Sequence, residues 1–173
     1  THFGTVKKGS FSLDDSVVAS INTERRNAIR RNQTAAHLLQ AGLRSVLGTH
    51  VEQAGQLVNE NAVRFDFTHF SALTAEETKA VEKFVNDTVL SGITVENNEM
   101  LIAEARKLGA MALFGEKYGE VVRVVSVKDK SVELCGGTHI DNTAKIGLFK
   151  IISESSVAAG VRRIEAVTGY GVL

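Results

Sequence analysis

At 173 residues, 43% hydrophobic and 23% charged, the chain has the length and balance of a soluble globular protein of one domain, or one domain plus a fragment, with a sizeable buried core. No run reaches the roughly 18 apolar residues of a membrane span, the first residues lack a signal-peptide apolar stretch, and a single cysteine excludes an intrachain disulfide. A cytoplasmic location is expected, and a formal net charge of zero argues neither for nor against a nucleic-acid partner.

Charge is nevertheless unevenly spread. Residues 1–36 carry six Lys or Arg against three Asp or Glu, residues 37–120 seven against twelve, and residues 121–173 seven against five. Two basic ends that converge make a phosphate-facing patch; ordinary surface charge is the alternative.

Residues 1–21 alternate loosely, with Gly4, Gly9 and Asp14-Asp15 punctuating Phe3, Val6, Phe11, Leu13, Val17 and Val18 in the manner of short strands. Asn22 or Thr23 caps a helix beginning Glu24-Arg25-Arg26, on which Arg26 and Arg30 share a face. The run Arg25, Arg26, Arg30, Arg31 suits phosphate contact, or a solvated face paired with Glu24. From Asn32 a second helix is expected, because Leu39, Leu43, Val46 and Leu47 recur at three- and four-residue steps and Gly48 stands where a C-cap glycine belongs. Gln33 and His37 then fall in its first turns, one above the other, where free N–H groups and the dipole favour an anion.

Val51–Val58 and Val63–Phe67 read as a hairpin turning at Asn59-Glu60-Asn61, with His50 and His69 at its outer ends as surface or strand-end residues. Thr74-Ala75-Glu76-Glu77 is a capping box opening a helix to about Leu90, striped by Val81, Phe84, Val85 and Val89. A strand at 92–96 and a helix from about Asn98 to Lys107, ending at Gly109, follow. Met111, Leu113 and Phe114 have core character, and 114–119 form a tight loop into a strand at 121–125. Lys128-Asp129-Lys130 turns the chain into 131–135, and strands at 146–155 and 161–167 close it, with Gly160 between them. There is no internal repeat. Hairpins mixed with a few helices point to an α+β fold: an antiparallel sheet packed by two or three helices in a sandwich.

The chemistry-bearing stretch is Cys135-Gly136-Gly137-Thr138-His139. Its two glycines and threonine let the backbone turn sharply and pass close to a ligand. With His37 it offers one thiolate and two imidazoles, the donor set of a borderline-soft ion such as zinc, and three protein ligands leave a fourth position open. On spacing alone a small buried cysteine beside satisfied core histidines is an equal reading.

These segments resemble the editing domain of alanyl-tRNA synthetases, in which a His-x-x-x-His helix and a Cys-x-x-x-His loop carry zinc. Matching stretches run the length of the chain, including Thr34-Ala35-Ala36-His37-Leu38-Leu39, Arg64-Phe65-Asp66-Phe67, Cys135-Gly136-Gly137-Thr138-His139, Ile146-Gly147-Leu148-Phe149-Lys150-Ile151 and Val161-Arg162-Arg163-Ile164-Glu165-Ala166. The first histidine of the family's helical pair falls on Gln33, a departure at the metal site. The resemblance implies an aminoacyl-tRNA deacylase domain that hydrolyses Ser-tRNA(Ala) or Gly-tRNA(Ala) esters, with His37, Cys135 and His139 as zinc ligands. It implies Gln33, Thr34 and Gln53 around substrate or water, Thr34 selecting serine by its hydroxyl. It also implies contact between the tRNA(Ala) acceptor end and Arg26, Arg30, Arg162 and Arg163. In the family a β-barrel precedes the editing core, so residues 1–22 are expected to be the tail of a barrel subdomain, 23–173 the editing domain, and the chain a piece of a larger synthetase, since it opens at Thr1 without Met. The runner-up is a catalytically silent module that grips the acceptor end with a decayed metal site; a free-standing editing protein is a third reading.

Overall fold

The computed structural model describes residues 3–112 and 118–173. The expectations for Leu113, Phe114 and the loop's first residues, 114–117, fall outside the described residues.

The longest element is helix α1, Thr23–Leu47. It is one helix where the sequence suggested two. Nothing between Asn27 and Asn32 is a Gly or Pro, so the i to i−4 ladder runs unbroken through the arginine run into the apolar half. Asn22 caps it, its side chain accepting from the Arg25 N–H at 2.9 Å, and the Gly48 N–H closes it on the Arg44 carbonyl at 3.0 Å. Gln33 and His37 consequently sit mid-helix, their backbone groups already bonded, and no free helix N-terminus faces them. Ala35, Leu38, Leu39 and Leu43 are fully buried, each leucine worth about 1.5–3 kcal/mol of transfer free energy.

Strands β1 (Gln53–Val58) and β2 (Val63–Thr68) form the expected hairpin, with the Asn59 side chain accepting from the N–H groups of Asn61 and Ala62 at 2.8 and 3.0 Å. Helix α2 (Ala75–Leu90) opens on the expected capping box of Thr74 and Glu77. Gly42 lets it approach α1, since a Cβ there would lie 3.1 Å from Phe84 Cδ1.

Strand β3 (Val95–Leu101) runs past the expected end and helix α3 (Ile102–Lys107) starts correspondingly late. Strand pairing is the reason: β3 is matched residue for residue with β4 (Val121–Val127) from Val95↔Val127 to Leu101↔Val121, which draws 98–101 into the sheet. Asp129, with φ 58°, turns β4 into β5 (Ser131–Leu134). Ile146 belongs to a 3-10 turn, Thr143–Ile146, so the next strand, β6, starts three residues later than expected, at Phe149–Ala158. Gly160, with φ 71°, turns it into β7 (Val161–Thr168).

The result is α+β, with two antiparallel sheets ordered β1-β2-β7-β6 and β3-β4-β5. The main core lies between the helices α1 and α2 and the four-stranded sheet, centred on Phe65, Phe67, Leu38, Leu39 and Ile164. Residues 3–22 form no strand and are exposed throughout; no edge of the described chain bonds their backbone. Among the described residues, no helix is long and apolar enough to cross a membrane.

Candidate metal centre and basic cleft

The β4–β5 hairpin delivers the cysteine loop to the middle of α1. Pairing persists one residue beyond β5, the Cys135 N–H donating to the Arg123 carbonyl at 3.0 Å, and then the glycines release the chain. Arg123 grips the released loop by donating from Nε to the Cys135 carbonyl at 2.9 Å and from a terminal nitrogen to that of Gly137. Arg30, on α1, donates to the His139 carbonyl at 2.6 Å. Two cations thus fasten the loop at both ends.

His37, Cys135 and His139 converge so that one ligand atom of each lies within 4.8 Å of the others. His139 Nε2 is 3.3 Å from Cys135 Sγ, and the two imidazole centroids are 4.6 Å apart. Both histidines are buried, at 4% and 6% exposure. His37 Nδ1 is buried with no hydrogen-bond partner among the described residues, a cost the fold carries unless something binds there. One thiol and two imidazoles, one of them with an unpaired ring nitrogen, fit a zinc ion.

Gln33, one turn before His37, presents Nε2 to Cys135 Sγ at 3.6 Å, and the Gly137 N–H donates to the same sulfur at 3.3 Å. Gln33 thereby stands beside the sulfur as a donor. Thr34 is fully buried: its hydroxyl donates to the Arg30 carbonyl at 3.0 Å, accepts from the Ile140 N–H at 3.3 Å and lies 3.1 Å from His139 Nδ1. On the other side, His37 Nε2 is 3.6 Å from Glu133 Oε2, while Glu133 Oε1 accepts from Ser131 Oγ at 2.7 Å.

Burial governs the charges. Desolvation, helped by His139, lowers His37 to about 3, and desolvation with Arg123 and Arg30 nearby lowers His139 to about 4. Both rings are neutral at pH 7, the state that ligates metal. Burial pushes the Cys135 thiol up, opposed by the Gly137 and Gln33 donors, and pushes Glu133 up to about 7. The His37–Glu133 approach is close enough for an ion pair, yet a neutral imidazole at 3.6 Å makes it a contact without one.

A cleft of about 570 Å³ opens beside the centre, lined by Arg26, Arg30, Arg123 and the loop residues Gly136 to His139. Arg26 and Arg30 share this face as their spacing predicts.

Residues 122–165, running from β4 through the cysteine loop into β7, match the family described as "Threonyl and Alanyl tRNA synthetase second additional domain". An alanine-tRNA ligase of Pelotomaculum thermopropionicum is 58% identical over 172 residues, 99% of this chain and 20% of that protein. That of Acetivibrio thermocellus is 57% identical over 172 residues, again 99% and 20%, and that of Bacillus subtilis 54% over 170 residues, 98% and 19%. The chain belongs to the alanyl-tRNA synthetase family. It spans about a fifth of the length of the curated relatives it matches.

Within this alanyl-tRNA synthetase segment, Gln53 does not reach the cleft. It lines a separate cavity of about 230 Å³ with Gln40, Arg44, Met111 and Glu133, behind the His37 side of the centre. Arg162 and Arg163 sit on β7, each held by a carboxylate: Arg162 donates to Glu154 at 2.5 and 2.7 Å, Arg163 to Asp66 at 2.6 and 2.7 Å. His50 and His69 are apart from the centre and bonded to each other at 2.9 Å, His69 being buried at its strand end. Sequence reasoning missed Arg123 and Glu133. Each is a charge set in an apolar strand, Val-Val-Arg-Val-Val and Ser-Val-Glu-Leu, a signal that something inside pairs with it.

Proposed function

We propose that this domain hydrolyses the ester joining a wrongly attached serine or glycine to the terminal ribose of tRNA(Ala), the deacylation by which an alanyl-tRNA synthetase edits. The observation that carries the reading is the convergence of His37, Cys135 and His139 beside a cleft that His139 lines together with three arginines. Arg26, Arg30 and Arg123 attract the phosphates of the acceptor end and orient the aminoacyl ester toward the loop. His37, Cys135 and His139 would hold a zinc ion, which when bound would polarise the ester carbonyl or water. Arg30 and Arg123 keep the loop carbonyls in place, Gln33 steadies the Cys135 sulfur, and Thr34 serves the centre from α1. Gln53, in the separate cavity beyond Glu133, offers its amide to a water there rather than to the aminoacyl group in the cleft. Water adds to the ester carbonyl, the C–O bond to the ribose breaks, and amino acid and free tRNA leave. Arg162 and Arg163, already paired, make the weaker contribution to the acceptor end.

In this reading residues 23–173 are the editing domain, residues 1–22 the tail of a preceding barrel subdomain, and the rest of a cytoplasmic synthetase the partner. Gln33, standing where the family has histidine, favours a second reading, a silent module that only grips the acceptor end. Release of serine from Ser-tRNA(Ala) decides. Hydrolysis by the chain, abolished in Cys135→Ala, is expected. If tRNA binds and no serine is released by this chain or by a full-length synthetase carrying it, the silent module is correct.

A further inference from the structure

Thr34 has no free hydrogen-bonding capacity and no exposed surface. A hydroxyl has one proton to give and two lone pairs. The proton goes to the Arg30 carbonyl, as the i to i−4 geometry within α1 dictates, and one lone pair takes the Ile140 N–H. With the proton donated to the Arg30 carbonyl, the second lone pair is left for His139, 3.1 Å away, an arrangement that assigns the ring proton to Nδ1 and the lone pair to Nε2. Nε2 is the atom 3.3 Å from Cys135 Sγ.

We propose that Thr34 is a positioning residue that fixes the tautomer of His139, so that Nε2 faces the centre as a donor, and that it does not touch the substrate. The inference rests on the zinc reading above but concerns the ring, which can be examined without the ion. A hydrogen bond to the far nitrogen fixes the orientation of a ligating imidazole and raises its basicity, and removing such a partner typically weakens metal binding tenfold to a hundredfold. Discrimination between serine and glycine esters then comes from other groups.

Three variants of the chain test it. Thr34→Val, of nearly equal volume, is expected to lower zinc affinity by about ten- to a hundredfold in chelator competition, and Thr34→Ser to stay within about threefold of the native protein. Nitrogen chemical shifts of His139 in the zinc-free native protein should report a protonated Nδ1, with a mixture of tautomers in Thr34→Val. Relative rates on Ser-tRNA(Ala) and Gly-tRNA(Ala) should keep their ratio in Thr34→Ser. Should Thr34→Val fail to fold, Thr34→Ala against Thr34→Ser carries the same comparison. Unchanged tautomer populations and zinc affinity in the variants lacking the hydroxyl overturn the inference, as does a serine-to-glycine ratio that changes while zinc affinity holds. A native chain that binds no zinc but shows the Nδ1 proton overturns the zinc reading and leaves the tautomer assignment standing.

Discussion

Gly137 shows how closely the loop is seated against α1. A Cβ built on it would lie 2.8 Å from Gln33 Cδ and 2.9 Å from Cγ and Nε2, closer than such atoms approach, so the whole Gln33 side chain would have to swing away from the Cys135 sulfur. Gly137→Ala is therefore expected to cost about 1–3 kcal/mol and to loosen the loop. Adding Gln33→Ala, which removes the obstructing atoms, should recover most of that loss in denaturant melts; equal instability of single and double variants would place the strain elsewhere. His37, Cys135 and His139 were legible in the sequence because ligand chemistry names its own residue types. Thr34 and Glu133 were not legible in their observed settings: a hydroxyl's partners and a carboxyl's burial depend on a loop that arrives from about a hundred residues away.

Among the elements, β2 and β7 are joined by the Arg163–Asp66 pair, directly opposite in the ladder and bidentate at 2.6 and 2.7 Å. The Arg163 guanidinium holds the Asp66 carboxyl below the usual carboxylate range. Such a group lends stability that is complete above its unfolded pKa, about 3.9, and vanishes as pH falls through its lower folded pKa. Asp66→Asn should cost about 1–3 kcal/mol at pH 7 and flatten the fall in stability below about pH 4; an acid limb as steep as the native one would deny Asp66 that role. Hairpins and capped helices were readable from local signals such as Asn59, Thr74 and Gly48. The division of α1 and the length of β3 were misread because unbroken helical bonding and β4 pairing outweigh local pattern, and the start of β6 because Ile146 closes a 3-10 turn.

For the molecule as a whole, a zero net charge conceals a cleft in which Arg26, Arg30 and Arg123 meet beside the centre. Arg26 has no ion-pair partner among the described residues, whereas Arg162 is held by Glu154. Arg26→Ala is thus expected to weaken tRNA binding and reduce the dependence of log K on log salt by about one, and Arg162→Ala to do less. Equal losses would move the RNA path to the β6–β7 face. The account stands on three side chains drawn from opposite ends of the sequence to hold one ion. Anomalous diffraction from crystals of the purified chain, collected on either side of the zinc edge, addresses this directly. A single peak is expected about 2.3 Å from Cys135 Sγ and about 2.0–2.1 Å from a ring nitrogen each of His37 and His139. A folded protein with zinc supplied and no peak between those three side chains contradicts the account.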